Sequence, residues 1–254
     1  MEFDFNNKLV LVTGSSRGIG LGIAKRFLKL NARVIFNSTK KVDLDVLLKD
    51  YKKSNAFFVT ADVSCPNQAQ KLIRDIVDKY GLLNHIVCNV GSGRSVMPGE
   101  ETYQEWQRIF SLNLWSTTNI VEASRNFFKS DGGSIVCISS ICGAEYIPNA
   151  PITYSVAKAA LNSYVKNISI PLSKKGVRIN SIAPGNILFK NSVWEKKLKE
   201  NYKDVNKLLN NEVPLKKLGT IDDVANLCVW LSSDYASFST GSIYNLDGGQ
   251  LRSF

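Results

Sequence analysis

The chain of 254 residues has a single histidine, His85, and five cysteines that never form a CxxC pair. Scattered as Cys65, Cys88, Cys137, Cys142 and Cys228, with three of them inside apolar runs, the thiols read as buried and reduced rather than as metal ligands or disulfide partners, so no metal is expected. His85 opens an apolar run and is expected to be structural rather than catalytic. No apolar run approaches the ~18 residues of a membrane span. The first eight residues are polar and acidic rather than signal-like, so the expected setting is cytoplasmic, with no membrane partner. Internal repeats, low-complexity tracts and breaks in composition are also missing, which leaves one domain over 1–254 as the expectation. Acidic residues are in deficit, and the net charge is +10. The distribution of the cations matters more than their total: eight lysines and four acidic residues share 190–217, and the other cations are spread along helical stretches. Without a basic stripe interleaved with aromatics, a solvated basic surface is expected and nucleic acid is not a partner.

Short apolar runs do alternate with helical patterns along the whole chain, at 9–13, 33–37, 56–60, 85–89, 134–139, 178–183 and 242–246. That rhythm is the mark of repeated βα units, and it predicts an α/β fold: one doubly wound (Rossmann) domain with a seven-stranded parallel sheet flanked by helices. Apolar residues recur with helical spacing at Ile19, Ile23, Phe27 and Leu30, and again at Leu72, Ile73, Ile76 and Tyr80. Longer helices are predicted over 103–128 and 153–174. A polar, lysine-rich insertion at 186–211, between Pro184-Gly185 and Pro214, predicts a mobile, helical substrate-side lobe (about 186–213) at the carboxyl ends of the strands, where ligands bind in such sheets.

The first run leads directly into Thr13-Gly14-Ser15-Ser16-Arg17-Gly18-Ile19-Gly20, inside which a helix begins. Glycines there let the backbone turn and approach a pyrophosphate, which the exposed N–H groups and dipole of a helix N-terminus favour. Alone, three glycines are often only a turn. Further along stand Asp62-Val63, Cys88-Asn89-Val90-Gly91, Asn113, Ser139-Ser140, Tyr154-Ser155-Val156-Ala157-Lys158 and Asn180-Ser181-Ile182-Ala183-Pro184-Gly185. In this order and from Leu9 to Gly249, the chain resembles the short-chain dehydrogenase/reductase family, and in look the 3-oxoacyl-acyl-carrier-protein reductase type. The resemblance implies a nicotinamide-dependent oxidoreductase. It places Gly14, Ser16, Arg17, Gly18, Ile19 and Gly20 around the dinucleotide, Asp62 and Val63 at the adenine, and Asn89 and Gly91 along the cleft; Pro184, Gly185 and Ile187 join Tyr154 and Lys158 as further cofactor contacts. At the end of the second strand, where a carboxylate selects NAD, stands Ser38, followed by Thr39, Lys40 and Lys41. With no carboxylate to repel a 2′-phosphate and with Arg17 matching a cation position, NADP(H) is favoured over NAD(H); otherwise Arg17 is an exposed loop cation.

Tyr154 and Lys158 lie four residues apart on one predicted helix and so share a face. A YxxxK pair by itself is commonplace; here it answers a chemical need. Carbonyl reduction needs a proton at oxygen as hydride reaches carbon, and a phenol with a pKa near ~10 is a poor donor or base at neutral pH. Lowering it by ~3 units takes about 4 kcal/mol of preferential phenolate stabilisation, which a neighbouring ammonium together with an oxidised nicotinamide is expected to supply. By resemblance, Ser140 holds the substrate oxygen, with Ser139 open as the alternative because Ser140 is 14 positions before Tyr154; Asn113 organises a relay water with Lys158, or else satisfies helix backbone. The chain departs from the family at Cys88, Val90 and Phe189, the last standing where many relatives place a cofactor-touching threonine.

Substrate class stays open between a 3-oxoacyl thioester and a sugar or nucleotide-sugar of surface-glycan biosynthesis, the latter implied by the resemblance of the segment Asn89-Val90-Gly91-Ser92-Gly93-Arg94-Ser95 to reductases of bacterial surface-sugar biosynthesis. A non-catalytic cofactor-sensing regulator is the alternative of another class. Arg94, with Lys190, Lys196, Lys197 and Lys199 of the lobe, suggests an anionic substrate. The long helices and the apolar ending near Tyr244 match elements that pair across a two-fold in relatives, implying a homodimer or homotetramer.

Overall fold

A computed structural model describes residues 3–252 except 50 and 52. Seven parallel strands form one sheet in the order β3-β2-β1-β4-β5-β6-β9. They are β1 (Leu9–Val12), β2 (Arg33–Ser38), β3 (Ala56–Thr60), β4 (His85–Cys88), β5 (Gly133–Ile138), β6 (Val177–Pro184) and β9 (Ile243–Leu246). A separate two-stranded pairing joins β7 (Ile187–Leu188) to β8 (Gly219–Thr220). The doubly wound sheet expected from the sequence is thus present, its strands within about one residue of the predicted bounds.

The continuous apolar runs of the central strands follow from burial on both faces, since successive side chains point to opposite sides. Val10, Val12, Val34 and Phe36 enter one core with Ile23 and Phe27 of α1 (Gly18–Lys29) and Val224 and Cys228 of α9 (Ile221–Ser232). Leu9, Leu11, Ile35 and Ile86 enter the other, with Leu72 and Ile76 of α3 (Pro66–Tyr80), Ile120 of α5 (Ser116–Ser124) and Leu161 and Val165 of α6 (Ile152–Ser173). Short α2 (Leu44–Leu47) lies between β2 and β3. Pro66 begins α3 at a position where its missing N–H costs nothing, and Thr220 and Asp223 close a reciprocal cap at the start of α9. His85 is packed as expected: its Nδ1 lies 2.8 Å from Ser134 Oγ, and burial, with Lys8 and Arg178 nearby, drives its pKa down to about 3.

One expectation needs correction. The predicted helix 103–128 is α4 (Tyr103–Phe110) and α5 joined by a π-helical turn, Ser111–Trp115, and α5 ends at Ser124. Asn113 explains the widened turn, because its Nδ2 donates to Ile109 O at 3.1 Å while the same amide reaches outward to Ser92. The lobe expected at about 186–213 is helical, a pair formed by α7 (Val193–Glu200) and α8 (Tyr202–Glu212), each capped by the side chain before it, Ser192 and Asn201. It is seated by Ile187, Val205 and Val213, all buried. No helix of the described residues is long and apolar enough to cross a membrane.

Candidate active site

Because β1 neighbours both β2 and β4, the order of strand addition reverses at the β1/β4 boundary, and a crevice opens at the carboxyl ends of those parallel strands. Gly14 to Gly20 turn there from β1 into α1. The first helical bond runs from Leu21 N–H to Arg17 O at 3.2 Å, so the amides of Gly18, Ile19 and Gly20 precede it at an end with no acidic side chain. Gly18 has φ +57, a conformation suited to glycine. A methyl on it would also meet Phe189 Cε2 at 2.9 Å, which places the lobe's first aromatic directly on the glycine turn. Asn89 closes the floor: its N–H bonds Thr13 Oγ1 at 3.0 Å, and its Nδ2 donates to Thr13 O and Gly14 O, each at 3.1 Å. Asn37, which sequence reasoning passed over, is buried at the end of β2 and donates to Val59 O and Ala61 O while its own N–H meets Ser15 Oγ. A buried amide just after an apolar run was the available signal.

The remaining cofactor candidates fall along the same edge. Ser38 ends β2 and donates to Lys40 O at 2.5 Å, with exposed Lys40, Lys41 and Arg17 nearby in the chain or on the glycine turn. Asp62 accepts from Ser64 N and Oγ at 2.9 and 2.6 Å, a turn that leads into α3; Val63 beside it is buried. Ser16 stands half-buried in the glycine turn, and Pro184 ends β6 with Gly185 just after it, the Gly185 N–H bonded to Leu246 O. Ile187, buried, opens the lobe.

Across the crevice, α6 brings Tyr154 and Lys158 to one face beside the end of β5. Lys158 is 2% exposed; its Nζ donates to Ile138 O at 2.8 Å and lies 5.8 Å from the Tyr154 ring centre. Ser140 hydrogen-bonds the Tyr154 hydroxyl and also accepts from Cys142 N–H at 3.2 Å. Ser139, the alternative, has a buried Oγ with no partner among the described residues. Asn113 is wholly buried, its Oδ1 accepting from Ser92 N–H at 2.9 Å and its Nδ2 donating to Ser92 O and Ile109 O. A methyl on Gly91 would fall 2.8 Å from Asn113 Oδ1 and 3.1 Å from Lys158 Nζ, so only glycine leaves those two groups facing the crevice together.

The expected lowering of the tyrosine is not met in the protein alone. Burial pushes the Tyr154 phenol up to about 12, outweighing the bond from Ser140, which favours phenolate. The same burial pulls the Lys158 ammonium down to about 8. A dry pocket penalises both charges singly.

Arg94 lies on the exposed segment after Gly91 and lines a cleft of about 640 Å³ with Ser192, Glu195, Lys196 and Lys199 of the lobe. The four lobe lysines do not act alike. Lys196 and Lys199 line the cleft and pair with Glu200 and Glu195, whereas Lys197 stacks over Trp194 and Lys190 is not on the cleft wall. Among the described residues no group of His, Cys, Asp and Glu is arranged to hold a metal.

A nucleotide-binding crevice with a tyrosine, a buried lysine and a serine at its far wall defines an oxidoreductase of the doubly wound class. Residues 14–250 match the family model described as enoyl-(acyl carrier protein) reductase. The chain belongs to this family, within the short-chain dehydrogenases/reductases. It is 34% identical over 247 residues to the 3-oxoacyl-[acyl-carrier-protein] reductase FabG of Chlamydia muridarum, covering 96% of this chain and 97% of that one. It is 32% identical over 256 residues to glucose 1-dehydrogenase 2 of Bacillus subtilis, covering 98% and 96%. The crystal structure of L-sorbose reductase from Gluconobacter frateurii with NADPH and L-sorbose superimposes with a TM-score of 0.91 at 26% identity, over the whole of both chains.

Proposed function

We propose that the protein is an NADP(H)-dependent reductase of a small anionic carbonyl compound, of the 3-oxoacyl thioester kind. The observation that carries this reading is the meeting of Ser140 and Tyr154 hydroxyls, with Lys158 buried behind them, at the crevice formed by Gly14–Gly20 and Asn89. When bound, the dinucleotide supplies the hydride and, once oxidised, a positive charge. Gly14, Ser16, Gly18, Ile19, Gly20, Asn89 and Gly91 would hold its central part, Asp62 and Val63 its adenine, and Pro184, Gly185 and Ile187 the nicotinamide side. Ser38 without a carboxylate, next to Lys40, Lys41 and Arg17, supports preference for a 2′-phosphate. Ser140 holds the substrate oxygen, Tyr154 gives it a proton as the carbonyl becomes an alcohol, and Lys158 with Asn113 restores that proton through a relay water beside Gly91.

Arg94 supports the charge assignment: a guanidinium at the rim opposite Lys196 and Lys199 can grip a carboxylate or phosphate through two parallel bonds. Similarity to the Chlamydia reductase supports the acyl thioester; similarity to the sorbose and glucose enzymes supports a sugar as the second reading. The whole chain, 1–254, acts as one unit with the lobe at about 186–213 on its substrate side. Five free cysteines are in keeping with a cytoplasmic protein. A symmetric dimer or tetramer is the assembly we favour, and a monomeric mass by light scattering would count against it.

Initial rates with NADPH and NADH decide the cofactor, and acetoacetyl-coenzyme A, ethyl acetoacetate and L-sorbose decide the substrate class. Acetoacetyl-coenzyme A is expected to be preferred, and Arg94→Ala to lower kcat/KM for it but not for neutral ethyl acetoacetate. Equal loss on both refutes charge recognition, and tight cofactor binding without turnover of any carbonyl favours a regulator.

A further inference from the structure

The segment from Ser92 to Val96 forms the wall of the crevice that faces Tyr154; a methyl on Gly93 would rest 3.6 Å from Tyr154 Cε1. This wall is irregular chain without strand or helix, so its shape comes from whatever ties it down. One tie is Asn113, which holds both backbone groups of Ser92. The others converge on Glu105, in the first turn of α4. Its carboxylate accepts from Ser95 Oγ at 2.6 Å, from Arg108 Nε at 2.8 Å and from Arg108 Nη2 at 2.7 Å. Arg108 Nη2 also donates to Arg94 O at 2.9 Å, so the same pair fixes the backbone that presents Arg94.

From Ser95 the connection continues. Ser95 Oγ lies 2.7 Å from Thr153 Oγ1, and Thr153 is fully buried in the first turn of α6, immediately before Tyr154. The direction of these bonds follows from the chemistry. The Glu105 carboxyl, held down to about 2 chiefly by Arg108 and by Ser95, is ionised and can only accept. The single Ser95 proton therefore goes to Glu105, and Thr153 donates to Ser95. The result is a one-way chain, Thr153 to Ser95 to Glu105, ending on a carboxylate that Arg108 keeps in place; bonds to an ionised acceptor are the strong ones.

We propose that Glu105 is a positioning residue for the reaction: through Ser95 and Thr153 it locks the crevice wall to the turn of α6 that carries Tyr154, fixing the distance between the two sides of the substrate site. This rests on the proton-transfer reading of Tyr154. Glu105 does not touch the reacting atoms, and its effect reaches them through the two hydroxyls. A merely structural role, as a first-turn acid capping α4 beside Thr102, leaves Thr153 without consequence.

The test removes the link at Thr153, far from α4. Thr153→Val keeps the shape and deletes the hydroxyl; Thr153→Ser keeps the hydroxyl. Each is measured beside Glu105→Gln for kcat and KM with acetoacetyl-coenzyme A, ethyl acetoacetate and L-sorbose, and for NADPH Kd by fluorescence. The expected result is a ~10-fold fall in kcat for Thr153→Val, an order below the ~100-fold loss that an ångström of misplacement costs. NADPH Kd should stay within about two-fold and Thr153→Ser should restore the rate, as a shift of ~0.4 kcal/mol or less demands. Should Thr153→Val fold poorly, Ser95→Ala cuts the same chain at a half-buried site and is read by the same criterion. Wild-type kcat in Thr153→Val, or equal losses in Thr153→Val and Thr153→Ser, overturns the proposal. Turnover that survives Tyr154→Phe instead removes the proton-transfer reading; turnover that needs Tyr154 but ignores Thr153 removes only the positioning role. A wild type inert to all three carbonyls removes both.

Discussion

Replacing Lys158 by methionine is expected to stabilise the folded protein at neutral pH while abolishing its turnover. The ammonium is buried, and desolvation lowers its pKa from 10.5 to about 8. At ~1.36 kcal/mol per unit, carrying that charge into the fold costs about 3 kcal/mol at pH 7. The bond from Nζ to Ile138 O, worth ~1 kcal/mol, is lost in the variant, and methionine, unbranched and adaptable, fills the channel of the lysine stem. The net expectation is a gain of ~2 kcal/mol for Lys158→Met. Its sign with pH is fixed by linkage. Between pH 8 and 10.5 the unfolded lysine holds a proton that the folded one has released, so wild-type stability rises with pH through this window and the variant's advantage shrinks. Between pH 7 and pH 9 the shrinkage should be ~1 kcal/mol. Tyr154 and Cys142, both pushed up by burial, titrate in either protein and largely cancel in the difference. Urea unfolding of both proteins at the two pH values, followed by far-ultraviolet circular dichroism, reads the effect. A variant less stable than wild type at pH 7, or a gap that does not change with pH, refutes the reasoning that the lysine is held against its solvation.

Tyr154→Phe should reduce kcat by ~100-fold or more with NADPH Kd nearly unchanged, because one hydroxyl is removed from a crevice otherwise built for the dinucleotide; a variant that keeps a tenth of wild-type kcat contradicts proton transfer. Gly91→Ala places a methyl 2.8 Å from Asn113 Oδ1 and 3.1 Å from Lys158 Nζ, groups already committed to Ser92 and Ile138. It should cost ~1–3 kcal/mol of stability, read by thermal unfolding, and most of the turnover. Ser38→Asp should shift initial rates toward NADH, and Arg17→Ala should weaken NADPH selectively; a wild type that already prefers NADH overturns the reading of both residues.

The sheet was legible in the sequence because a parallel strand covered on both faces writes itself as an unbroken apolar run. Leu9-Val10-Leu11-Val12 and Ile135-Val136-Cys137-Ile138 needed no tertiary information to be recognised, nor did the glycine turn that follows the first of them. The Tyr154–Lys158 pair was equally local, one helical turn apart on α6. Wherever a property depended on distant chain, the sequence left it open or misled. Periodicity continued through 103–128, but a buried amide at Asn113 reaching Ser92 opened the helix into a π turn. Two adjacent serines were indistinguishable until β5 and α6 were packed, which set Ser140 against Tyr154 and left Ser139 facing inward without a partner among the described residues. Burial, which no four-residue spacing announces, pushes the Tyr154 phenol up in the protein alone, because desolvation belongs to the assembled pocket; the lowering was expected of the lysine together with an oxidised nicotinamide. Sequence counted four lobe lysines as equal; the turn of α7 sends Lys196 and Lys199 to the cleft and lays Lys197 on Trp194. Glu105, Ser95 and Thr153 carried no local signal at all, for they span 58 positions between Ser95 and Thr153 and become one hydrogen-bonded chain only when α4, the crevice wall and α6 meet.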